Sequence, residues 1–168
     1  MSKNIMSKNK ITYTLYEGTL LTEAPIFDQS VNVLRFRDPE DNEYTILVNR
    51  AFLAEDQTLA EFCESQMSFM TNTMPAFAVE GKQLTSEIGP AKLPVVQIGN
   101  RFYLEGQLMK QVQTMVALPY HPVINGARRN VIIFTLSAEK EFTEYQRKHY
   151  VQLINSFDPE AATLNSKL

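Results

Sequence analysis

At 168 residues the chain has the length of one domain, enough to bury about 68–70% of the surface its unfolded form exposes. Its 44% hydrophobic and 21% charged residues are ordinary for a globular protein, and a net charge of −3 with scattered Lys and Arg excludes the basic footprint of a nucleic-acid binder. Cys63 stands alone, which excludes an internal disulfide and favours a reducing compartment.

The chain opens on Met1-Ser-Lys-Asn-Ile-Met-Ser-Lys-Asn-Lys10, positive but without a following apolar run, so it reads as neither a signal peptide nor a lipoprotein leader. We expect residues 1–10 to be a disordered extension, 11–157 a single domain and 158–168 a disordered tail. No stretch reaches the ~18 consecutive apolar residues of a membrane span, so direct membrane insertion is not expected and the cytoplasm is the expected location.

Strands over 11–16 and 19–22 flank Glu17-Gly18 as a tight hairpin. A second hairpin pairs 31–36 with 43–50 around the turn formers Asp38-Pro-Glu-Asp-Asn42. The first helix starts at the capping box Thr58-x-x-Glu61 and ends at Pro75, with Leu59, Phe62, Cys63, Met67, Met70 and Met74 at helical spacing. Gln66 falls inside that apolar stripe, one turn from Phe62 and Met70. A strand over 77–86 follows. Gly89-Pro90 and Pro94 precede a strand over 95–104 whose pairing should be less regular. Gly106 turns into a long strand over 107–118, and a loop over 119–126 leads to the last strand, 128–136. A final helix over about 140–157 carries Phe142, Tyr145, His149, Leu153, Ile154 and Phe157 on one face. The order predicts an α+β domain, an antiparallel β-sheet with two packed helices.

Three strands carry apolar residues on both faces. Side chains alternate along a strand, so Asn32, Leu34 and Phe36 oppose Val31, Val33 and Arg35, while Tyr44, Ile46 and Val48 oppose Thr45, Leu47 and Asn49. On the long strand Leu108, Val112, Val116 and Leu118 oppose Met109, Gln111, Gln113, Met115 and Ala117. One set makes a core. The other mixes Val31, Val33, Leu47, Met109 and Met115 with Thr45, Asn49, Gln111 and Gln113: either helices or a second copy cover it, or it holds a guest. Amides are costly in a closed core, ~1–3 kcal/mol each when unpaired, and Met adapts to varied guests. That favours a groove for an apolar helix.

Catalytic and metal chemistry finds no constellation. His121 and His149 have no ligand spacing, Cys63 lies mid-stripe where an inert buried thiol is the ordinary outcome, and the six glycines form no phosphate loop. A histidine on an apolar helix face, as His149 is, is more often a satisfied core residue than a functional one. We therefore expect no enzyme and no cofactor.

The runs Asp28-Gln-Ser-Val-Asn-Val-Leu-Arg-Phe36 and Thr45-Ile-Leu-Val-Asn-Arg50, then Phe62-x-x-x-Gln66 and Met74-Pro75-Ala-Phe77, resemble the DcrB-related Eag proteins, cytoplasmic chaperones of type VI secretion effectors. The resemblance implies a Mog1/PsbP-like fold and a homodimer forming a cup. Such a cup shields the N-terminal transmembrane segments of Rhs-type toxins before loading on the spike protein VgrG. It implies Val31, Val33, Leu47 and Met74 as apolar groove residues, and Thr45, Asn49 and Gln66 as polar ones; Met109 and Gln113 follow by pattern on the later strand. Phe27 departs from the family, whose members often carry Trp there. The other readings are a DcrB-like envelope protein or a Mog1-like adaptor for a folded partner.

Overall fold

The computed structural model describes residues 10–122 and 124–159; the expected N-terminal extension and tail lie almost wholly outside them. Lys10 is an exception, because it opens strand β1 (Lys10–Thr14), which pairs with β2 (Thr19–Glu23). The turn between them closes with the Leu15 N–H donating to the Gly18 carbonyl at 2.7 Å, as Glu17-Gly18 predicts. The hairpin stands apart as a two-stranded sheet.

Six further strands form one antiparallel sheet: β3 (Asn32–Arg37), β4 (Glu43–Phe52), β5 (Ala78–Ile88), β6 (Leu93–Leu104), β7 (Gln107–Ala117) and β8 (Asn130–Glu139). Their spatial order is β3-β4-β8-β7-β6-β5. With helices α1 (Leu59–Thr73) and α2 (Glu144–Asn155), the fold is α+β, an antiparallel sheet with two packed helices. Both helices begin with a complete capping box, Thr58 with Glu61 and Thr143 with Gln146.

The pairing of β6 differs from expectation. It runs beside β7 without a break from Val95–Val116 to Leu104–Gln107, because Pro94 lies just before that ladder begins. The irregularity sits on the other side, in edge strand β5, where the register shifts between Glu80 and Leu84 around Gly81 at φ +78°. The link from β6 to β7 is a two-residue turn, Glu105-Gly106, with φ of +51° and +80°, the geometry that matches sheet twist.

The helices lie on opposite faces. Tyr44, Ile46, Val48, Val116, Phe134 and Leu136 form one core with Tyr150 and Ile154 of α2. Val96, Ile98, Phe102, Met115, Val131 and Ile133 form the other with Phe62, Cys63 and Met67 of α1. Met115, read from sequence as part of the open face, is thus fully buried. The sheet-facing side of α2 also differs: it is centred on Gln146, Tyr150 and Ile154, while Tyr145 is half exposed.

Two polar ties fix α2. Asp38 Oδ1 accepts from the backbone N–H of Asn42 at 2.9 Å and of Glu40 at 3.0 Å, closing the β3–β4 turn. Its Oδ2 accepts from Thr143 Oγ1 and Gln146 Nε2, both at 3.3 Å. Further along, the buried Tyr150 hydroxyl pairs with Thr114 Oγ1 at 2.6 Å and donates to the Phe134 carbonyl at 2.9 Å. Phe157, just past α2, presses on the β5–β6 turn, where a Cβ on Gly89 would come within 2.4 Å of the Phe157 carbonyl oxygen. The helix therefore crosses its face diagonally, from the β3–β4 turn to the β5–β6 turn.

Tyr150→Phe should destabilise the fold by about 1–2 kcal/mol in urea titration, since it strands buried polar partners. The bonds to Asn42 come first in holding the Asp38 carboxyl below its ordinary range. A carboxyl depressed on folding stabilises at pH above its unfolded value near 4 and loses this as pH falls through the depressed value. Asp38→Asn should accordingly lower the melting temperature at pH 7 and narrow its difference from the wild type in strong acid.

Candidate functional site

The face under α1 is covered over only half its width. Across the sheet one row runs Val33, Leu47, Thr135, Gln113, Ile98, and the next runs Arg35, Thr45, Ser137, Gln111, Asn100. A third runs Asn49, Ile133, Met115, Val96. At the β6 end these rows lie beneath α1, which packs against β5, β6 and β7. At the β3 end no helix among the described residues covers them. Val33 is 57% exposed, and Leu47, Thr45, Asn49, Gln111 and Gln113 are half-buried. The result is a trough along α1, bounded by the edge strand β3, with half-buried Thr45, Leu47 and Asn49 of β4 beside buried Thr135 and Ser137 of β8.

The phase of α1 decides which residues border it. Glu64, Met67, Ser68 and Thr71 line a cleft with Val79 and Gln83 of β5, and Gln83 Nε2 donates to the Ala60 carbonyl at 3.2 Å. The opposite flank, away from β5, carries Phe62, Gln66, Phe69 and Thr73 in the i, i+4, i+7, i+11 row. Phe62 is buried, Gln66 is half-buried, and Phe69 is 63% exposed. Phe69 is a wall residue that sequence reading passed over, although its place in that row was legible.

The floor is rich in amides and hydroxyls. Asn100 Nδ2 donates to Gln113 Oε1 at 3.2 Å. The carbonyl oxygens of Asn49, Asn100 and Gln111 are buried with no hydrogen-bond partner. Each such acceptor costs ~1–3 kcal/mol unless a donor reaches it. Asn100, fully buried, also escaped sequence reading, although alternation along β6 sets it on one face with Val96, Ile98 and Phe102.

The sequence-derived site residues fall into three groups. Val33, Leu47, Thr45, Asn49 and Gln113 share the trough floor and outer wall, and Gln66 stands on the helix flank away from β5. Met74, the C-cap of α1, and Met109 pack on the edge of the α1 core instead. Met109 also lines a cleft of about 480 Å³ with Arg35, Thr45, Ser137 and Glu139, where the trough reaches the end of the sheet. Val31 precedes β3 and is 56% exposed.

Asp28 and Ser30, the start of the motif containing Val31, serve as a clamp. The Asp28 carboxylate accepts from Tyr13 Oη of β1, from the Ser30 N–H at 2.9 Å and from the Ser30 hydroxyl. Burial pushes its pKa up, but the bonds from Ser30 and Tyr13 outweigh burial and leave it below the ordinary range. Arg50 Nη1 donates to the Ser30 carbonyl at 3.0 Å and to Asn32 Oδ1 at 2.6 Å, holding the entry to β3. Elsewhere, His149 Nδ1 pairs with Tyr44 Oη at 2.8 Å, and burial raises the Cys63 thiol pKa. Among the described residues no three His, Cys, Asp or Glu converge as metal ligands, and no helix is long and apolar enough to cross a membrane.

The family model for DcrB matches residues 17–156. The chain belongs to the DcrB family. No curated protein matches it. This DcrB-family protein is similar in structure to PA94 from Pseudomonas aeruginosa, a protein of unknown function, with a TM-score of 0.68 and 18% identity over 90% of this chain and 97% of that one. It is also similar to LpqN of Mycobacterium tuberculosis, with a TM-score of 0.52 and 17% identity over 80% of each chain. At these identities the likeness is one of fold.

Trough and core should separate under mutation. Val33→Gln should shift stability by no more than about 0.5 kcal/mol, whereas Met115→Ala should cost about 2–5 kcal/mol, both read by urea unfolding.

Proposed function

We propose that this DcrB-family protein is a non-enzymatic chaperone that holds an apolar helix in the trough beside α1. The observation that carries the reading is the makeup of the uncovered half-face. Exposed Val33 and Phe69 and half-buried Leu47 border a floor with unpartnered carbonyl oxygens on Asn49 and Gln111. A guest helix laid along α1 buries apolar surface at ~25 cal/mol per Å². It can also exchange hydrogen bonds with the half-buried amides of Gln66 and Gln113. Helix-in-groove recognition of this kind reads side chains at i, i+3, i+4 and i+7.

The client we propose is the N-terminal transmembrane segment of a type VI secretion effector of the Rhs type, held in the cytoplasm until transfer to the spike. This finer reading rests on the motifs of β3, β4 and α1 that resemble the Eag chaperones. Two copies would pair their troughs around two guest helices. A second reading, an envelope-related adaptor, draws on membership of the DcrB family and on LpqN, which is described as involved in cell envelope biogenesis.

Co-expression with an effector N-terminus carrying its apolar segments separates the two. The chaperone reading expects the effector fragment to stay in the supernatant with the wild type and to precipitate with Leu47→Gln or Val33→Gln. Capture unchanged by both substitutions would remove the trough from the account. A periplasmic pool on cell fractionation would favour the envelope reading.

A further inference from the structure

We propose that the hairpin β1–β2 is a strap that opens and closes as one unit, latched to the body by Tyr13 on Asp28 and Ser30. The hairpin shares no ladder with the six-stranded sheet, and neither hydrophobic core includes a described residue before Phe36. A lone two-stranded hairpin is marginal in water, so its order depends on what ties it down. Leu20 and Leu21 of β2 are more than half exposed, and they do not supply that tie.

The latch does. Tyr13 Oη bonds Asp28 Oδ2 at 2.5 Å and Ser30 Oγ at 2.9 Å. The receiving side is held independently of the strap. Phe27 packs edge-on against Phe52 of β4 with ring centroids 4.3 Å apart, and Arg50 grips the Ser30 carbonyl at 3.0 Å. Release of one phenol therefore frees the strap while Asp28 and Ser30 stay in place. Segments with few buried contacts open at a small fraction of the global unfolding free energy. This device stands whether or not the trough holds a helix.

Native-state hydrogen exchange on the full chain tests it, comparing amides of β1 and β2 with those of β4. In the wild type the strap should exchange faster than β4. In Tyr13→Phe, which removes a bond to a carboxylate, strap exchange should rise roughly tenfold or more while β4 is unchanged. Thr12→Ala, on the outer side of the same strand, should leave both rates as they were, and the melting temperature of each variant checks that the body stays folded. A strap that exchanges together with β4 in the wild type, or is unaffected by Tyr13→Phe, overturns the proposal.

Discussion

Five inter-strand gaps of about 4.8 Å make the six-stranded sheet about 24 Å wide, while a helix with its side chains covers only about 10–12 Å. One helix per face therefore leaves part of each face without a helix. Here α2 covers one face diagonally, tied at Asp38, Thr114 and the β5–β6 turn, and α1 covers the β5–β7 half of the other. The trough is what remains. Its position follows from where α1 must begin and end, after β4 and before β5, and from which flank of α1 meets β5.

That geometry also explains why the two faces differ in chemistry. The face beneath α2 is closed by aliphatic and aromatic side chains, with the polar atoms of Thr114 and Tyr150 satisfied by one another and by Phe134. The face beneath α1 passes from Met115, Val96 and Ile98 under the helix, through Gln111 and Gln113 of β7, to Ser137 of β8 and Thr45 of β4. Fully paired polar groups specify a core, and unpaired ones raise its free energy until a donor arrives. Half-buried amides and hydroxyls beside exposed apolar side chains are what the proposed groove would use to hold a helix.

Much of the fold was legible from local signals. The turn residues at Glu17-Gly18 and Asp38–Asn42, the capping box at Thr58 and the alternation in β3, β4 and β7 depend on contacts within a few residues, so they survive without tertiary context. The errors arose where distant elements meet. The sheet-facing side of α2 turned out to centre on Tyr150 because of bonds to Thr114 and Phe134, residues from other strands. Met115 looked like a groove residue until α1 covered it, and Phe69 drew no notice although it borders the uncovered half.

The sequence alone determined that two faces of one sheet would be apolar, because alternation along a strand is a property of the covalent chain. It also marked Val33, Leu47, Thr45, Asn49 and Gln113 as sharing a face. Only the tertiary structure decided how much of that face stays open, since coverage depends on the path of α1 over strands that adjoin in space but not in sequence. The motif beginning at Asp28 shows the same division. Its alternation placed Val33 on the open face, but its role as the anchor of Tyr13 needed the hairpin folded back fifteen residues along the chain.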